Sequence, residues 1–274
     1  SQEKNGRTSN RQFANMEWLN LLGEKYLIKL LNCSKKSSGY VKEALTYLDL
    51  RLGNLCNLKC RMCNPWNSIQ LAKEHIKLEK MDQKYKEVWR KSWGVFSEDC
   101  LEDKKAFDND VLWDQIIELV PNLKKVYMTG GEPTLIKNNF NFLQSCIEKN
   151  SLDIILFFNT NCTYISDRFI DLIKNFKEVR INVSIDGVGY INDYIRYPSK
   201  WNQVSSNIEK LAQMPNVNLG ITPTVQIYNV FNLIEILDYV DLLNKKFNKN
   251  IFIDFLINNH PNYLNVNVLP SKTR

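Results

Sequence analysis

The sequence predicts an α/β fold, a parallel sheet with helices outside it, open or partly closed into a barrel. Three observations carry this reading. Strand-like runs at residues 46–52, 125–129, 153–158, 179–185, 217–225 and 250–257 alternate with segments of helical periodicity, the pattern of a sheet wound through parallel crossovers. Residues with chemical character fall just after these runs: cysteines after the first, paired glycines after the second, Asn159-Thr160-Asn161 after the third and Ser184-Ile185-Asp186-Gly187 after the fourth. Parallel α/β folds gather their active sites at that C-terminal edge. Finally, 274 residues with 44% apolar and 11% aromatic content suit one large domain, alone or with appendages, around a sizeable core.

Taken in order, residues 1–14 are polar, lack the apolar stretch of a secretory signal and start without Met, which points to a trimmed start. Leu19, Leu22, Tyr26 and Leu30 recur at helical spacing and predict an amphipathic helix over 16–31, interrupted by Gly23. Residues 33–39 read as a linker. After the first strand and the cysteines comes a helix over 68–89, then an acidic insertion at 91–110. Helices follow at 112–120, ended near Pro121, and at 138–149. Ser166 is the expected N-cap of a helix carrying Phe169, Ile173 and Phe176 on one face. Two more helices are marked by residues 201–211 and by Leu233, Ile236, Val240 and Leu243. Pro223 inside the fifth strand predicts a bulge or an early end to its pairing. The organisation expected is therefore an N-terminal helical extension at 1–44, a core at 45–258 and a tail at 259–274.

Composition excludes several chemistries. Only two histidines exist, His75 and His260, so zinc hydrolysis and Ser-His-Asp catalysis are poorly provisioned. Seven cysteines without regular pairing argue against a disulfide scaffold and for a reducing, cytoplasmic compartment. No run approaches the roughly 18 apolar residues that span a bilayer, so no membrane association is expected. The net charge is +6, densest from Lys77 to Lys91, where Tyr85, Trp89 and Trp93 interleave or follow. Contact with nucleic acid is one reading of that stretch. A solvated helix face is the better one, because Glu79, Asp82 and Glu87 dilute the charge.

The informative stretch is Cys56, Cys60 and Cys63, spaced C-x3-C-x2-C directly after the first strand. A structural zinc site closes with four ligands, and no fourth Cys or His lies nearby. An iron–sulfur cube held by three cysteines instead keeps one iron open to a small molecule.

This loop, together with Thr129-Gly130-Gly131-Glu132-Pro133 after the second strand, resembles the radical S-adenosylmethionine (SAM) superfamily over roughly residues 46–258. Ser-Ile-Asp-Gly after the fourth strand resembles the SPASM and twitch branch, many of whose members modify peptides. The resemblance implies a partial (β/α)6, TIM-like barrel. It implies that Cys56, Cys60 and Cys63 bind three irons of a [4Fe–4S] cluster and that SAM chelates the fourth. An external flavodoxin- or ferredoxin-like donor would reduce the cluster, and SAM would yield a 5′-deoxyadenosyl radical that abstracts hydrogen from a substrate, with a peptide as the favoured class. Gly130, Gly131, Glu132 and Pro133 would meet the SAM amino group, and Ser184 with Arg196 its carboxylate. Thr160 and Asn161 would lie beside the ribose. The Met62 thioether could pack against adenine, and Thr224, preferred to Thr222, and Ile257 are candidates for the adenosine pocket, with strand core an equal reading for them.

The sequence departs from the family at three places. Cys162 stands where the family's Thr-Asn-Gly turn has glycine, and is expected to be a small buried hydrophobe rather than a hydrogen-atom donor or ligand. Met62 replaces a common aromatic. No cysteine follows Cys162, so the auxiliary-cluster region is expected to be truncated or minimal. Asp186 is expected to be a turn or cap residue. Two rival readings stay open: a non-catalytic SAM- or cluster-binding module of the same fold, and a zinc-binding nucleic-acid protein.

Overall fold

The computed structural model describes residues 9–40, 45–85, 87 and 109–272. Nearly all of the expected insertion, and most of the basic stretch after Tyr85, lie outside the described residues. The chain divides into two compact units, Ser1–Thr46 and Tyr47–Arg274.

The first unit holds α1 (Asn10–Leu22) and α2 (Glu24–Lys36). Ser9 opens α1 with a reciprocal cap: its Oγ accepts the Gln12 N–H at 3.2 Å, and Gln12 Oε1 accepts the Ser9 N–H at 2.9 Å. Gly23 takes φ +80°, which ends α1 and starts α2, so the interruption expected in one helix makes two. The expected linker begins later than residue 33. Cys33 to Lys36 are still helical, and Lys35 and Lys36 sit where cations favour a helix C-terminus.

In the second unit, β1 (Tyr47–Arg51) is followed by α3 (Ile69–Met81), α4 (Asp110–Leu119), β2 (Lys125–Thr129) and α5 (Lys137–Glu148). Then come β3 (Ile155–Thr160), α6 (Asp167–Ile173), β4 (Val179–Val183), α7 (Tyr190–Ile195) and α8 (Trp201–Ala212). The chain closes with β5 (Val217–Ile221), β6 (Thr224–Val225), α9 (Leu233–Phe247), β7 (Phe252–Ile253) and β8 (Leu256–Ile257). Six strands pair in parallel in the order β1-β2-β3-β4-β5-β7. Helices flank this sheet, as in a partial TIM-like barrel.

The strands alternate in a way that fits such curvature. Leu50, Val126, Met128, Leu156, Phe158, Val179 and Ile181 are buried in the same apolar core as Phe140, Phe142 and Phe169 from the helices. The intervening Lys125, Tyr127, Asn159, Arg180 and Asn182 are only half-buried. A flat parallel sheet covered on both faces would be apolar throughout; here one face packs on helices and the other is mixed, with Ile155 and Phe157 among the polar side chains.

Three expectations need correction and one is met. The helix expected over 68–89 is interrupted: α3 stops at Met81, Asp82 turns extended and its Oδ1 accepts the N–H groups of Lys84 and Tyr85 at 2.8 and 3.3 Å, and residues 83–85 and 87 are helical again. The short α7 was not expected. The strand at 217–225 ends its main-sheet pairing early, as expected from Pro223, which has no N–H to give the ladder. The strand at 250–257 divides, and β6 pairs with β8 as a separate two-stranded sheet. Beyond it, the tail forms two 3-10 turns, and buried Leu264 accepts the Ile227 N–H through its carbonyl at 3.0 Å. No helix among the described residues is long and apolar enough to cross a membrane.

Candidate functional site

The cysteine loop leaves the C-terminal end of β1 and is held by its own base. Asn54 Nδ2 donates to the Pro65 carbonyl at 3.1 Å, and Ser68 Oγ donates to the Leu58 carbonyl at 2.6 Å while capping α3. The residues after α7 hold its other side, where the N–H groups of Lys59 and Arg61 donate to the carbonyls of Tyr197 and Ile195 at 2.6 and 2.9 Å. Arg61 also lays its guanidinium 3.8 Å over the Tyr194 ring. Cys56, Leu58 and Cys60 are buried together, with Met62 and Cys63 packed against them.

The three sulfurs lie within electrostatic reach of one another. Burial pushes the Cys56 thiol up to about 12, with the Leu58 N–H opposing it, and pushes Cys60 and Cys63 upward as well. Among the described residues no group of three His, Cys, Asp or Glu side chains is arranged to hold a metal ion. The fit to an iron–sulfur centre therefore rests on donor chemistry: three clustered thiols, N–H groups of Leu58 and Asn161 directed at Cys56 Sγ (3.5 and 3.9 Å), and the Arg196 cation beside Cys60 and Cys63. Anionic sulfur is stabilised by the N–H donors and by the guanidinium.

The glycine turn after β2 seats directly on this loop. Gly130 has φ +87°, and a Cβ there would stand 3.0 Å from the Gly53 carbonyl oxygen. Gly131 has φ +50°, and its Cβ would fall 2.3 Å from the Leu55 oxygen. Only glycine fits either place. The same Leu55 oxygen accepts the Glu132 N–H at 2.8 Å. The missing side chains let one loop approach another.

Glu132 is fully buried and saturated by its neighbours. Oε1 accepts Thr134 N–H, Thr134 Oγ1 and Thr160 Oγ1 at 3.2, 2.7 and 2.7 Å, and Oε2 accepts the Asn161 N–H at 2.7 Å. Burial raises this carboxyl, opposed by those donors. Its side chain thus ties the β2 loop to the end of β3. Pro133 begins the buried 3-10 turn Pro133–Leu135. Cys162, buried as expected, takes φ +57°, so the turn keeps a glycine-like backbone despite its side chain.

Asp186 is neither a turn nor a cap residue. It is 0% exposed, and its Oδ2 lies 2.7 Å from Arg196 Nε while its Oδ1 accepts the Thr224 N–H at 2.7 Å. Burial alone raises Asp186, and Arg196 opposes it. Burial also works against the Arg196 charge, but Asp186 and the nearby cysteines outweigh it and Arg196 is raised. We read the pair as ionised, because a buried guanidinium requires a counter-ion. Ser184, half-buried, donates its N–H to the Thr160 carbonyl at 2.8 Å.

Cysteines, glycine turn, β3 turn and buried arginine therefore meet on one edge of the sheet. A family model described as the radical SAM superfamily matches residues 50–243, most of the chain. The chain belongs to the radical SAM superfamily. That family uses a [4Fe–4S] cluster and SAM. No curated protein sequence matches the chain significantly.

Among solved structures, Streptococcus suis SuiB bound to the precursor peptide SuiA is similar at 14% identity and TM-score 0.48, over 95% of this chain and 48% of that one. The radical SAM methyltransferase TsrM from Kitasatospora setae, with cobalamin and a [4Fe–4S] cluster bound, is similar at 13% identity and TM-score 0.45, over 81% and 35%. This chain spans about half the length of the SuiB chain.

The radical SAM edge collects Met62, Gly130, Gly131, Glu132, Thr160, Asn161, Ser184, Arg196 and Thr224 through the contacts above. Ile257, on β8, is 63% exposed. Sequence reasoning missed Asn57 and Thr163, which bond to Asn161, and misread Asp186. No local signal marks the first two, whereas the position of Asp186 at a strand end beside Ser184 was the available clue to the third.

Proposed function

We propose that the protein is a radical SAM enzyme in which Cys56, Cys60 and Cys63 hold the cluster and the rim of Gly130, Gly131, Thr160, Ser184, Arg196 and Thr224 holds SAM. When bound and reduced by an external flavodoxin- or ferredoxin-like donor, the cluster and SAM supply a 5′-deoxyadenosyl radical for hydrogen abstraction. The chain's residues bind, orient and shield. Backbone oxygens of the Gly130-Gly131 turn take the SAM amino group. Arg196, its Nε committed to Asp186, offers its remaining N–H groups to the SAM carboxylate together with Ser184, a fork that Lys could not reproduce. Burial of Cys56, Cys60, Thr160, Asn161 and Arg196 keeps water from the reacting centre.

The observation that carries this reading is the seating of the glycine turn on the backbone of the cysteine loop, which fixes the two principal motifs against each other. A peptide is the substrate class we favour. SuiB was captured with its precursor peptide, and the half-buried face bearing Lys125, Tyr127, Asn159 and Asn182 beside Ile155 and Phe157 suits a substrate with both hydrogen-bonding and apolar groups.

The test is anaerobic reconstitution with iron and sulfide, followed by reduction in the presence of SAM. We expect 5′-deoxyadenosine from the native chain and none from C56A, C60A or C63A. A native chain that binds cluster and SAM without releasing 5′-deoxyadenosine would be a binding module instead.

A further inference from the structure

We infer that Asn161 is a positioning residue for the cluster, acting through Cys56 rather than by touching SAM. The inference rests on the assignment of Cys56 as a cluster ligand. Its basis is a closed ring of polar side chains. Asn161 Oδ1 accepts the Thr163 N–H at 2.9 Å and Thr163 Oγ1 at 2.6 Å. Asn57 Nδ2 donates to Thr163 Oγ1 at 2.8 Å, and Asn161 Nδ2 donates to Asn57 Oδ1 at 3.0 Å. The Thr163 backbone N–H can only donate, so it fixes which end of the Asn161 carboxamide is oxygen. The NH2 end is thereby turned towards Cys56, and its second N–H reaches Sγ at 3.9 Å.

Asn161 and Thr163 are both buried, which shields the bonds between them from water, while Asn57 is half-buried. The carboxamide has no polar atom left for a ribose hydroxyl, the contact that the family resemblance implied. A donor directed at a ligating sulfur stabilises the more negative, reduced state of an iron–sulfur centre over the oxidised one. Asn161 therefore raises the cluster's reduction potential, and Thr163 and Asn57 hold it in the orientation that does so.

The test is the midpoint potential of the reconstituted full chain, read by electron paramagnetic resonance during redox titration, beside its SAM affinity. N161L keeps the branched shape of the side chain, at a larger volume, and removes the donor. It is expected to keep the native iron and sulfide content and SAM affinity, and to shift the potential to more negative values. T163V, which loosens the carboxamide without removing it, is expected to shift it less, in the same direction. An unchanged potential in a fully loaded N161L, or at least tenfold weaker SAM binding at unchanged potential, overturns the inference. If N161L does not load, T163V decides by the same criterion. Failure of the native chain to take up iron and sulfide would instead sink the cluster assignment itself.

Discussion

Asp186 ties three parts of the rim together with one carboxylate and its peptide group. It balances Arg196, accepts the N–H of Thr224, and receives the Asn229 side-chain amide on its carbonyl at 2.9 Å. Replacing it with Asn leaves a buried guanidinium without its counter-ion. Breaking such a pair from one side costs about 3–5 kcal/mol, so D186N should lower the stability read from urea unfolding by about that amount and weaken SAM binding. Gly131 fails differently. Alanine there meets both a left-handed φ and the Leu55 oxygen, and G131A should cost about 3 kcal/mol, near the upper end of single substitutions. Its unfolding midpoint in urea is the measurement, and a midpoint equal to the native one would refute the seating described. The presence of a glycine pair was plain in the sequence. Its reason was not, because the oxygen that excludes a Cβ comes from a residue far away in the chain.

Helix α3 buries Ile69, Leu71, Ala72 and His75. His75 shares a hydrogen bond with the Tyr85 hydroxyl, and burial lowers its pKa from 6.5 to about 4, with Glu74 opposing. Between those values the unfolded chain binds a proton that the folded chain does not. Stability is therefore full above 6.5 and falls as pH drops towards about 4. Unfolding midpoints measured across that window should decline, and H75Q should flatten the decline attributable to this residue. The helices were largely legible because apolar side chains at period 3.6 and caps such as Ser166, whose Oγ accepts the Phe169 N–H at 3.1 Å, are local signals. The breaks in the last strands were legible only in part. Pro223 announced one, but nothing local in Asp254-Phe255 announces that β8 leaves the main sheet for β6.

Across the whole molecule, every buried apolar side chain among the described residues lies between Leu50 and Leu264. The second unit therefore supplies its own core. A chain beginning at residue 45 should unfold in one cooperative transition, followed by circular dichroism against urea; a gradual loss of signal would show that the core needs more than its own residues. The parallel order of the sheet was readable from alternation, and the convergence of motifs followed from strand ends lying on one edge. The ring of Asn57, Asn161 and Thr163 was not readable. It joins the first loop to the third across more than a hundred residues, and no spacing rule reports a contact of that kind.

The cysteine loop is clamped on both flanks by bonds that involve no metal: Leu55 to Glu132 on one side, Lys59 and Arg61 to Tyr197 and Ile195 on the other. Small zinc modules, by contrast, collapse when stripped because the ion is their core. Here oxygen damage to an iron–sulfur centre would leave the scaffold standing with its thiols still gathered. The same molecule could be repaired and refilled rather than degraded and replaced.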